Sequence, residues 1–366
     1  MLEKGMAELP LSTVAGQVLV AGFDGTEPPV ELLAAAQREH VAGFILFRRN
    51  LGEVSEVAEL NARLAGLLHP ERPALVGVDQ EGGRVARLGP PVLPLPPMRA
   101  LGDRDDPDLT REAGFVLGRQ LRALGFTMDF APVLDVDTNP DNPVIGDRAF
   151  GREPERVVRH ALAFADGLAT GGVLPCGKHF PGHGDTDLDS HRALPRLAHD
   201  RARLDRIELA PFRAATRARL PAIMTAHVLF DALDADVPAT LSRRVVHDLL
   251  RREVGFDGVV ISDDLEMRAV ADRWPVPEAA VGAVDAGCDM VLICSEVEAC
   301  LEAHEAIVRR AEKDRRFANR LREQALRSIA LRSGHPPRPV TDPRALDAAL
   351  CSDRAAAVQT RLHAPG

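Results

Sequence analysis

Short runs of apolar residues recur along the chain, and a longer amphipathic stretch follows most of them. The short runs are typical of buried strands and the longer stretches of surface helices, so the pattern predicts repeated β–α units. Eight apolar runs are bounded by turn residues: 17–23, 43–49, 74–79, 127–135, 172–180, 222–230, 258–264 and 289–295. The clearest amphipathic stretches cover 53–68, 108–124, 153–170 and 242–254.

Eight strands that alternate with helices predict an α/β fold, a closed (β/α)8 TIM barrel in a single domain. A doubly wound sheet is the alternative, but it usually has fewer strands and a glycine-rich nucleotide-binding turn, which this sequence lacks. We expect the catalytic barrel to span residues 1–335. A Pro-rich linker then leads into a C-terminal helical tail over 336–366, which is too short to be a domain of its own.

Composition narrows the possible functions. The 366 residues carry 54 acidic and 45 basic side chains, a formal charge of −9, so no overall basic field exists to attract nucleic acid. The N-terminus lacks the pattern of a cleaved signal peptide, and no stretch approaches the roughly 18 apolar residues of a membrane span. Five widely spaced cysteines indicate buried thiols rather than disulfides. We expect a cytoplasmic monomer without nucleic-acid or membrane partners.

Ionisable residues stand at the ends of several predicted strands, where a barrel places its chemistry. These are Asp79, Asp135, Lys178, His179, His227, Asp263 and Asp264. An unpaired charge is costly to bury, so charge at these positions needs a reason. Each aspartate taken alone is equally well explained as the cap of the next helix. Five polar strand ends on one rim favour a polar pocket.

The segment 178–191 places three histidines and three aspartates within fourteen residues. One interpretation is a metal site built on His179 and His183. However, a proline and a glycine separate these two histidines, so they cannot share one face of a helix, as the usual metal motif requires. A second interpretation is a surface loop stiffened by side-chain turns.

The favoured interpretation is a loop above the pocket that delivers an acid/base group. Asp189 and His191 are two residues apart and able to pair, and a carboxylate partner favours the protonated imidazole and fixes its orientation. A nucleophile is available in Asp263 or Asp264. Neighbouring strand residues point to opposite sides, so at most one of these two should face the pocket, while the other caps or supports it.

Five blocks of the sequence resemble glycoside hydrolase family 3, in particular its bacterial β-N-acetylglucosaminidases of the peptidoglycan-recycling type. The blocks are VDQEGGRVAR (78–87), FAPVLDVDTNPDNPVIGDRAFG (130–151), GKHFPGHGDTDLDSH (177–191), MTAHVLFDALDADVPATLS (224–242) and GFDGVVISDDLEM (255–267). They occur in the family's order, and the resemblance covers roughly residues 10–333. It implies a barrel that removes terminal β-linked N-acetylglucosamine with retention of configuration.

The resemblance also implies residue roles. Asp263 corresponds to the catalytic nucleophile, and His191 with Asp189 to the acid/base dyad. The residues that correspond to the sugar-binding set are Asp79, Arg87, Arg148, Lys178 and His179. We expect Arg148 and Lys178 to donate hydrogen bonds to sugar hydroxyls and to oppose Asp79 and Asp263 electrostatically. No metal or cofactor is implied.

The expected function is therefore a retaining exo-β-N-acetylglucosaminidase, a β-N-acetylhexosaminidase, acting on muropeptides or related small glycosides. Three alternatives remain open. A histidine acid/base carries no negative charge to repel phosphate, so the same site could serve a phosphorylase. The histidine-rich loop could instead belong to a metal-dependent hydrolase, and the barrel could bind sugar without turning it over.

Overall fold

The computed structural model describes residues 9–364. Within them lies a closed barrel of eight parallel strands: β1 (Leu19–Ala21), β2 (Gly43–Leu46), β3 (Leu75–Val78), β4 (Met128–Asp129), β5 (Leu174–Phe180), β6 (Ala222–Thr225), β7 (Val259–Asp264) and β8 (Met290–Ile293). The strands follow one another around the barrel in chain order, and β1 pairs with β8 to close it. Each predicted apolar run contains one of these strands. The predicted (β/α)8 TIM barrel is confirmed.

Helices surround the barrel. The α-helices are α1 (Leu11–Gly16), α2 (Val30–Gln37), α3 (Val54–Ala65), α4 (Met98–Arg104), α5 (Pro107–Ala123), α6 (Pro154–Gly171), α7 (Arg201–Arg206), α8 (Ala210–Arg217), α9 (Arg268–Ala271), α10 (Val276–Ala286), α11 (Val297–Lys313), α12 (Arg315–Ser333), α13 (Pro343–Leu350) and α14 (Asp353–His363). The helix predicted over 242–254 is present as a π-helix, Arg244–Glu253. Short 3₁₀ turns are Arg48–Asn50, Gly146–Arg148 and Ala239–Leu241.

Two apolar cores hold these layers together. The inner core fills the barrel with side chains from alternate strand positions, among them Val20, Ile45, Phe130, Met224, Ile261 and Leu292. The outer core lies between the strands and the helices. Cys176 and Cys294 belong to the inner core, and Cys351 is the exposed one of the five cysteines. All five are free thiols, as the sequence predicts, but the predicted burial is wrong for Cys351.

A buried arginine closes the N-terminal end of the barrel. Arg332, on α12, is 1% exposed. It donates from Nη1 to the carbonyl oxygens of Ala42 (3.1 Å) and Pro73, and from Nη2 to Gln17 Oε1 at 2.6 Å. These acceptors precede β2, β3 and β1 respectively. Arg332 therefore ties the starts of three adjacent strands to one outer helix.

The C-terminal helices α13 and α14 pack against α5 on the outside of the barrel. Ser352 lies between the two helices. Its side chain accepts a hydrogen bond from the backbone N–H of Ala355, and Ser352 therefore caps the start of α14. Across residues 9–364, no helix combines the length and apolarity that crossing a bilayer requires. The prediction about the N-terminus falls largely on residues 1–8, which lie outside the described residues.

Candidate active site

A cavity of about 350 Å³ opens at the C-terminal end of the barrel strands. It is lined by all eight site residues named from the sequence: Asp79, Arg87, Arg148, Lys178, His179, Asp189, His191 and Asp263. Lys178 and His179 belong to β5, and Asp263 belongs to β7. Asp79 comes directly after β3, Arg148 ends the 3₁₀ turn Gly146–Arg148, and the other three residues come from loops. The closed barrel therefore gathers residues from β3, β4, β5 and β7, or from the segments that follow them, into one pocket.

A buried ion cluster forms one wall of this cavity. The Lys178 Nζ lies 2.8 Å from Asp79 Oδ1 and 2.6 Å from Glu81 Oε1. Arg148 donates from Nε and Nη2 to the two oxygens of Glu81, at 2.8 and 2.7 Å. Arg87 Nη2 lies 3.3 Å from Asp79 Oδ2. Lys178 thus opposes Asp79 as expected, whereas the ion-pair partner of Arg148 is a glutamate that the sequence analysis did not name.

The partners of this cluster keep one another ionised. Burial alone raises the pKa of Glu81, but Arg148 and Lys178 lower it by more, so the net pKa lies well below its usual range. Burial likewise raises the pKa of Asp79, and Lys178 and Arg87 bring it below its ordinary value. Burial lowers the pKa of Lys178, but the two carboxylates raise it by more, so the net pKa lies above its ordinary value. The cluster therefore carries fixed charges at neutral pH.

Glu81 is the main residue that sequence reasoning missed. It stands two positions after Asp79, and side chains two apart in an extended chain point to the same side. That spacing is the signal that could have identified it. The following turn, Gly82–Gly83, has positive φ angles of 117° and 54°, a backbone region that favours glycine. This turn reverses the chain and brings Arg87 back to Asp79.

Asp135 orients His179. Its carboxylate is buried, and its Oδ2 lies 2.7 Å from Nδ1 of His179. Its Oδ1 accepts the backbone N–H groups of His179 at 3.2 Å and His183 at 2.7 Å. Burial raises the pKa of Asp135, but the two histidines lower it below its ordinary value. With Nδ1 engaged by Asp135, His179 has Nε2 available to a ligand.

Asp263 lies at the end of β7 with its Oδ1 accepting the backbone N–H of Asp264 at 2.8 Å. Burial raises the pKa of Asp263, but His227 and His179 lower it by more, and the net pKa is below the ordinary value. The Asp263 carboxylate is therefore ionised at neutral pH, the state that a nucleophile requires.

Asp264 also lines the cavity, which differs from the expectation that at most one of the pair would face it. The pairing of β7 with β8 is irregular between Ile261 and Asp264, so the strict alternation of sides is lost there. Oδ1 of Asp264 accepts the backbone N–H groups of Glu266 (3.1 Å) and Cys294 (3.3 Å). Burial and the Glu266 charge raise the pKa of Asp264 to about 7.

Asp189 and His191 form a hydrogen-bonded pair at the cavity mouth. Nδ1 of His191 lies 2.8 Å from Oδ1 of Asp189, and the same oxygen accepts the backbone N–H of His191 at 2.9 Å. Burial raises the pKa of Asp189, but the hydrogen bonds from His191 lower it below its ordinary value. The His191 side chain is 65% exposed. Its Nε2 is thus left for proton exchange with a substrate or with water.

The two histidines considered as metal ligands are occupied by other partners. His179 pairs with Asp135, and both ring nitrogens of His183 lie within hydrogen-bond distance of hydroxyl groups. No helix connects the two, as the intervening proline and glycine predict. In the described part of the chain, no group of three or more His, Cys, Asp or Glu side chains is arranged to hold a metal ion.

Comparison with known proteins gives concordant matches. Residues 10–327 match the glycosyl hydrolase family 3 N terminal domain. A beta-hexosaminidase from Alkalilimnicola ehrlichii is 42% identical over 287 residues, 77% of this chain and 81% of that protein. A family 3 beta-N-acetylglucosaminidase from Paenibacillus sp. FPU-7 has a TM-score of 0.89 at 42% identity, covering 97% of this chain and 68% of that one. NagZ from Neisseria gonorrhoeae, in complex with N-trifluoroacetyl-D-glucosamine, has a TM-score of 0.78 at 32% identity, covering 95% and 97%.

Proposed function

The chain belongs to glycosyl hydrolase family 3, and on that premise we propose that it is a retaining exo-β-N-acetylglucosaminidase that hydrolyses terminal β-linked N-acetylglucosamine. The observation that carries the proposal is one shared cavity, lined by the partly buried, ionised Asp263 and by the hydrogen-bonded Asp189–His191 pair. The names of the relatives, beta-hexosaminidase and beta-N-acetylglucosaminidase, support the choice of sugar.

In the first step, Asp263 attacks the anomeric carbon and the glycosidic bond breaks. His191 donates its Nε2 proton to the departing oxygen, so the aglycone leaves as a neutral alcohol. Asp189 accepts the Nδ1 proton of His191 in a hydrogen bond, which orients the ring and stabilises the imidazolium before transfer. The products of this step are the free aglycone and a glycosyl ester on Asp263.

In the second step, the neutral His191 takes a proton from a water molecule at Nε2. The resulting hydroxide attacks the anomeric carbon, and the ester bond to Asp263 breaks. Two displacements at the same carbon retain its configuration. The carboxylate and the imidazolium are both restored, so the enzyme returns to its starting state.

The buried ion cluster holds the sugar in this proposal. Lys178 and Arg148 keep N–H groups beyond those that bind Glu81 and Asp79, and these can donate to sugar hydroxyls. Asp79 and Arg87 complete the binding set, and Nε2 of His179 adds a further polar contact. Because these side chains are fixed by mutual ion pairs, they need little reorganisation when sugar binds.

Muropeptides or related small glycosides are the substrates we propose. Their aglycones carry carboxylates, and partly exposed guanidinium groups of Arg49 and Arg84 line the mouth of the cavity. Arginine binds carboxylates with two parallel hydrogen bonds. A cytoplasmic location fits five cysteines that remain free thiols. A monomer is part of the same proposal.

The test is a turnover panel with chromogenic β-N-acetylglucosaminide, β-glucoside and β-N-acetylgalactosaminide. We expect the first to be cleaved fastest, and Asp263→Asn to reduce its kcat by more than about 1,000-fold through loss of the nucleophile. Asp257→Asn, an exposed aspartate just before β7, is the matched control and should retain wild-type turnover. A slow fluorinated substrate should leave a mass adduct on the peptide that contains Asp263.

Two results contradict the proposal. An adduct on any other peptide removes Asp263 from the role of nucleophile. Release of sugar 1-phosphate in place of free sugar, in phosphate buffer, assigns the site to a phosphorylase instead of a hydrolase. Parallel assays with and without phosphate distinguish the two reactions directly.

A further inference from the structure

The loop that carries the acid/base pair is fixed at two points. The first is at Thr186, whose Oγ1 donates to the carbonyl oxygen of His183 at 3.1 Å. The second is at Ser190, which is 2% exposed, with its Oγ 3.0 Å from Nε2 of His183. Between these points the chain turns outward, and Leu188 is 46% exposed. A single buried histidine therefore contacts both fixed points of the loop.

The proton positions in this contact follow from the hydrogen-bonding capacity of the groups. Thr186 has one hydroxyl proton, and its geometry assigns that proton to the His183 carbonyl. Nδ1 of His183, 2.8 Å from the Thr186 oxygen, must then be the donor in that pair. Burial and the neighbouring His179 lower the pKa of His183 to about 4, so the ring is neutral. Its Nε2 is consequently an acceptor, and the Ser190 hydroxyl donates to it.

The backbone of His183 is itself held in place by hydrogen bonds. Its backbone N–H donates to Oδ1 of the buried Asp135 at 2.7 Å, and its carbonyl oxygen also accepts from Nδ2 of Asn142 at 2.9 Å. A side chain at Gly184 would place its Cβ 1.9 Å from the carbonyl oxygen of Val136, so the chain passes tightly against the β4 loop there. The imidazole is thus part of the barrel frame rather than of the exposed loop.

Ser190 has a second contact with the frame. Its carbonyl oxygen accepts the backbone N–H of Ala269, in α9, at 3.2 Å. The residues on either side of Ser190 are Asp189 and His191, the two members of the proposed acid/base pair. Because Ser190 lies between the two, fixing its hydroxyl and its carbonyl fixes the backbone that joins Asp189 to His191.

We propose that Ser190 is a positioning residue, which through His183 and Ala269 holds Asp189 and His191 above Asp263. The proposal rests on the proposed function, because it gives a task to a pair whose acid/base role is itself proposed. Ser190 keeps its hydroxyl proton in the hydrogen bond to His183 and transfers none in the reaction. Ser190 instead raises the fraction of molecules in which the imidazole of His191 lies at the cavity mouth.

The test compares Ser190→Ala with a matched control, Ser328→Ala. Ser328 is also buried and donates one hydrogen bond, to the carbonyl oxygen of Gln17 at 2.7 Å, but it lies on α12 away from the cavity. Hydrogen–deuterium exchange of a peptide covering 185–192 reports the loop directly. We expect Ser190→Ala to speed this exchange by roughly tenfold, the effect of one lost buried hydrogen bond, and Ser328→Ala to leave it unchanged.

Kinetics supply a readout that a purely structural serine would not move. Substrates with poor leaving groups need the proton from His191, whereas a dinitrophenyl glycoside does not. Ser190→Ala should lower kcat/KM about tenfold for alkyl N-acetylglucosaminides and leave it nearly unchanged for the dinitrophenyl substrate. The inhibition constant of free N-acetylglucosamine should stay at the wild-type value.

Unchanged exchange over 185–192 in Ser190→Ala overturns the proposal, and so does an equal loss of kcat/KM for every leaving group. Failure of the proposed function has a different signature: wild-type protein would cleave none of the N-acetylglucosaminides. The exchange experiment still decides in that case whether Ser190 holds the loop. The two ideas can thus fail separately.

Discussion

Glu81→Gln is the most informative perturbation of the buried ion cluster. The substitution keeps the size and shape of the side chain but removes the negative charge that faces both Lys178 and Arg148. Lys178 still has Asp79 at 2.8 Å. Apart from its contacts with position 81, Arg148 has one weaker hydrogen bond, from Nη1 to the carbonyl oxygen of Val144 at 3.2 Å. Arg148 therefore loses most of the compensation for its burial.

The size of the effect follows from burial. Removing one partner of a buried ion pair typically costs 3–5 kcal/mol of folding free energy, because the other charge stays out of water without compensation. Glu81 is 1% exposed, which places the pair in this class. The new amide oxygen can still accept one hydrogen bond from Arg148, so we expect a loss near the lower limit, about 3 kcal/mol. Displacement of Arg148 or Lys178 also removes a charged donor that we propose binds the sugar, and kcat/KM should fall by about 10- to 100-fold.

The assay is urea denaturation followed by far-UV circular dichroism at pH 7, paired with kcat/KM for a chromogenic N-acetylglucosaminide. Glu39→Gln is the matched control, because Glu39 also binds an arginine, Arg72, through two hydrogen bonds of 2.6 and 2.9 Å. That pair is more exposed and lies at the N-terminal end of the barrel. It should cost about 1 kcal/mol or less and leave kcat/KM unchanged.

The reasoning is refuted if Glu81→Gln is as stable as Glu39→Gln and retains wild-type kcat/KM. That outcome means that Arg148 and Lys178 keep their positions without the carboxylate between them. A loss of stability with unchanged kcat/KM is a more limited failure. It assigns Glu81 to the support of the barrel and removes it from the organisation of the sugar-binding donors.

Two further predictions concern groups outside this cluster. Asp264→Asn should raise the free energy of unfolding by up to about 4 kcal/mol at pH 8 and change it little at pH 4, because the folded protein keeps a proton on Asp264 up to about pH 7 while the unfolded chain releases it near pH 4. Urea denaturation at both pH values checks this, and a constant difference contradicts it. Arg332→Met should cost about 3 kcal/mol by removing the donor to the buried Pro73 carbonyl and to Gln17 Oε1, with kcat/KM unchanged; equal urea midpoints contradict that account.

The strands were predictable from the sequence because barrel strands are buried on both faces, which makes them continuous apolar runs. Their limits were less predictable. The run over 127–135 forms a strand only at Met128–Asp129, since Pro132 has no amide hydrogen to continue the ladder. The chain nevertheless stays beside β5, with the Leu134 N–H donating to the Lys178 carbonyl. The π form of Arg244–Glu253 left no trace in the apolar pattern.

The residues of the site, too, were only partly predictable from the sequence. The rule that chemistry lies at strand ends identified Asp79, Lys178, His179 and Asp263 from the sequence alone, whereas Arg148 was named only through the family resemblance. Glu81 and Ser190 were not named, because their importance lies in partners that folding brings close. Arg148 is 67 positions from Glu81, and Ala269 is 79 positions from Ser190. Polar pairs at such separations leave no periodic signal in a single sequence.

The structure places its two kinds of functional group in opposite surroundings, and the proposed chemistry explains the division. Lys178 and Arg148, the proposed sugar-binding donors, are buried, and Asp263 is partly buried at the end of β7. A fixed geometry and low dielectric strengthen the ion pairs of the two donors. His191 stands on a loop with 65% of its side chain exposed. Its proton must first reach an aglycone and later come from water, so burial would block the second step. A loop that is open to solvent but held at Ser190 lets water reach His191 and still keeps the imidazole in position.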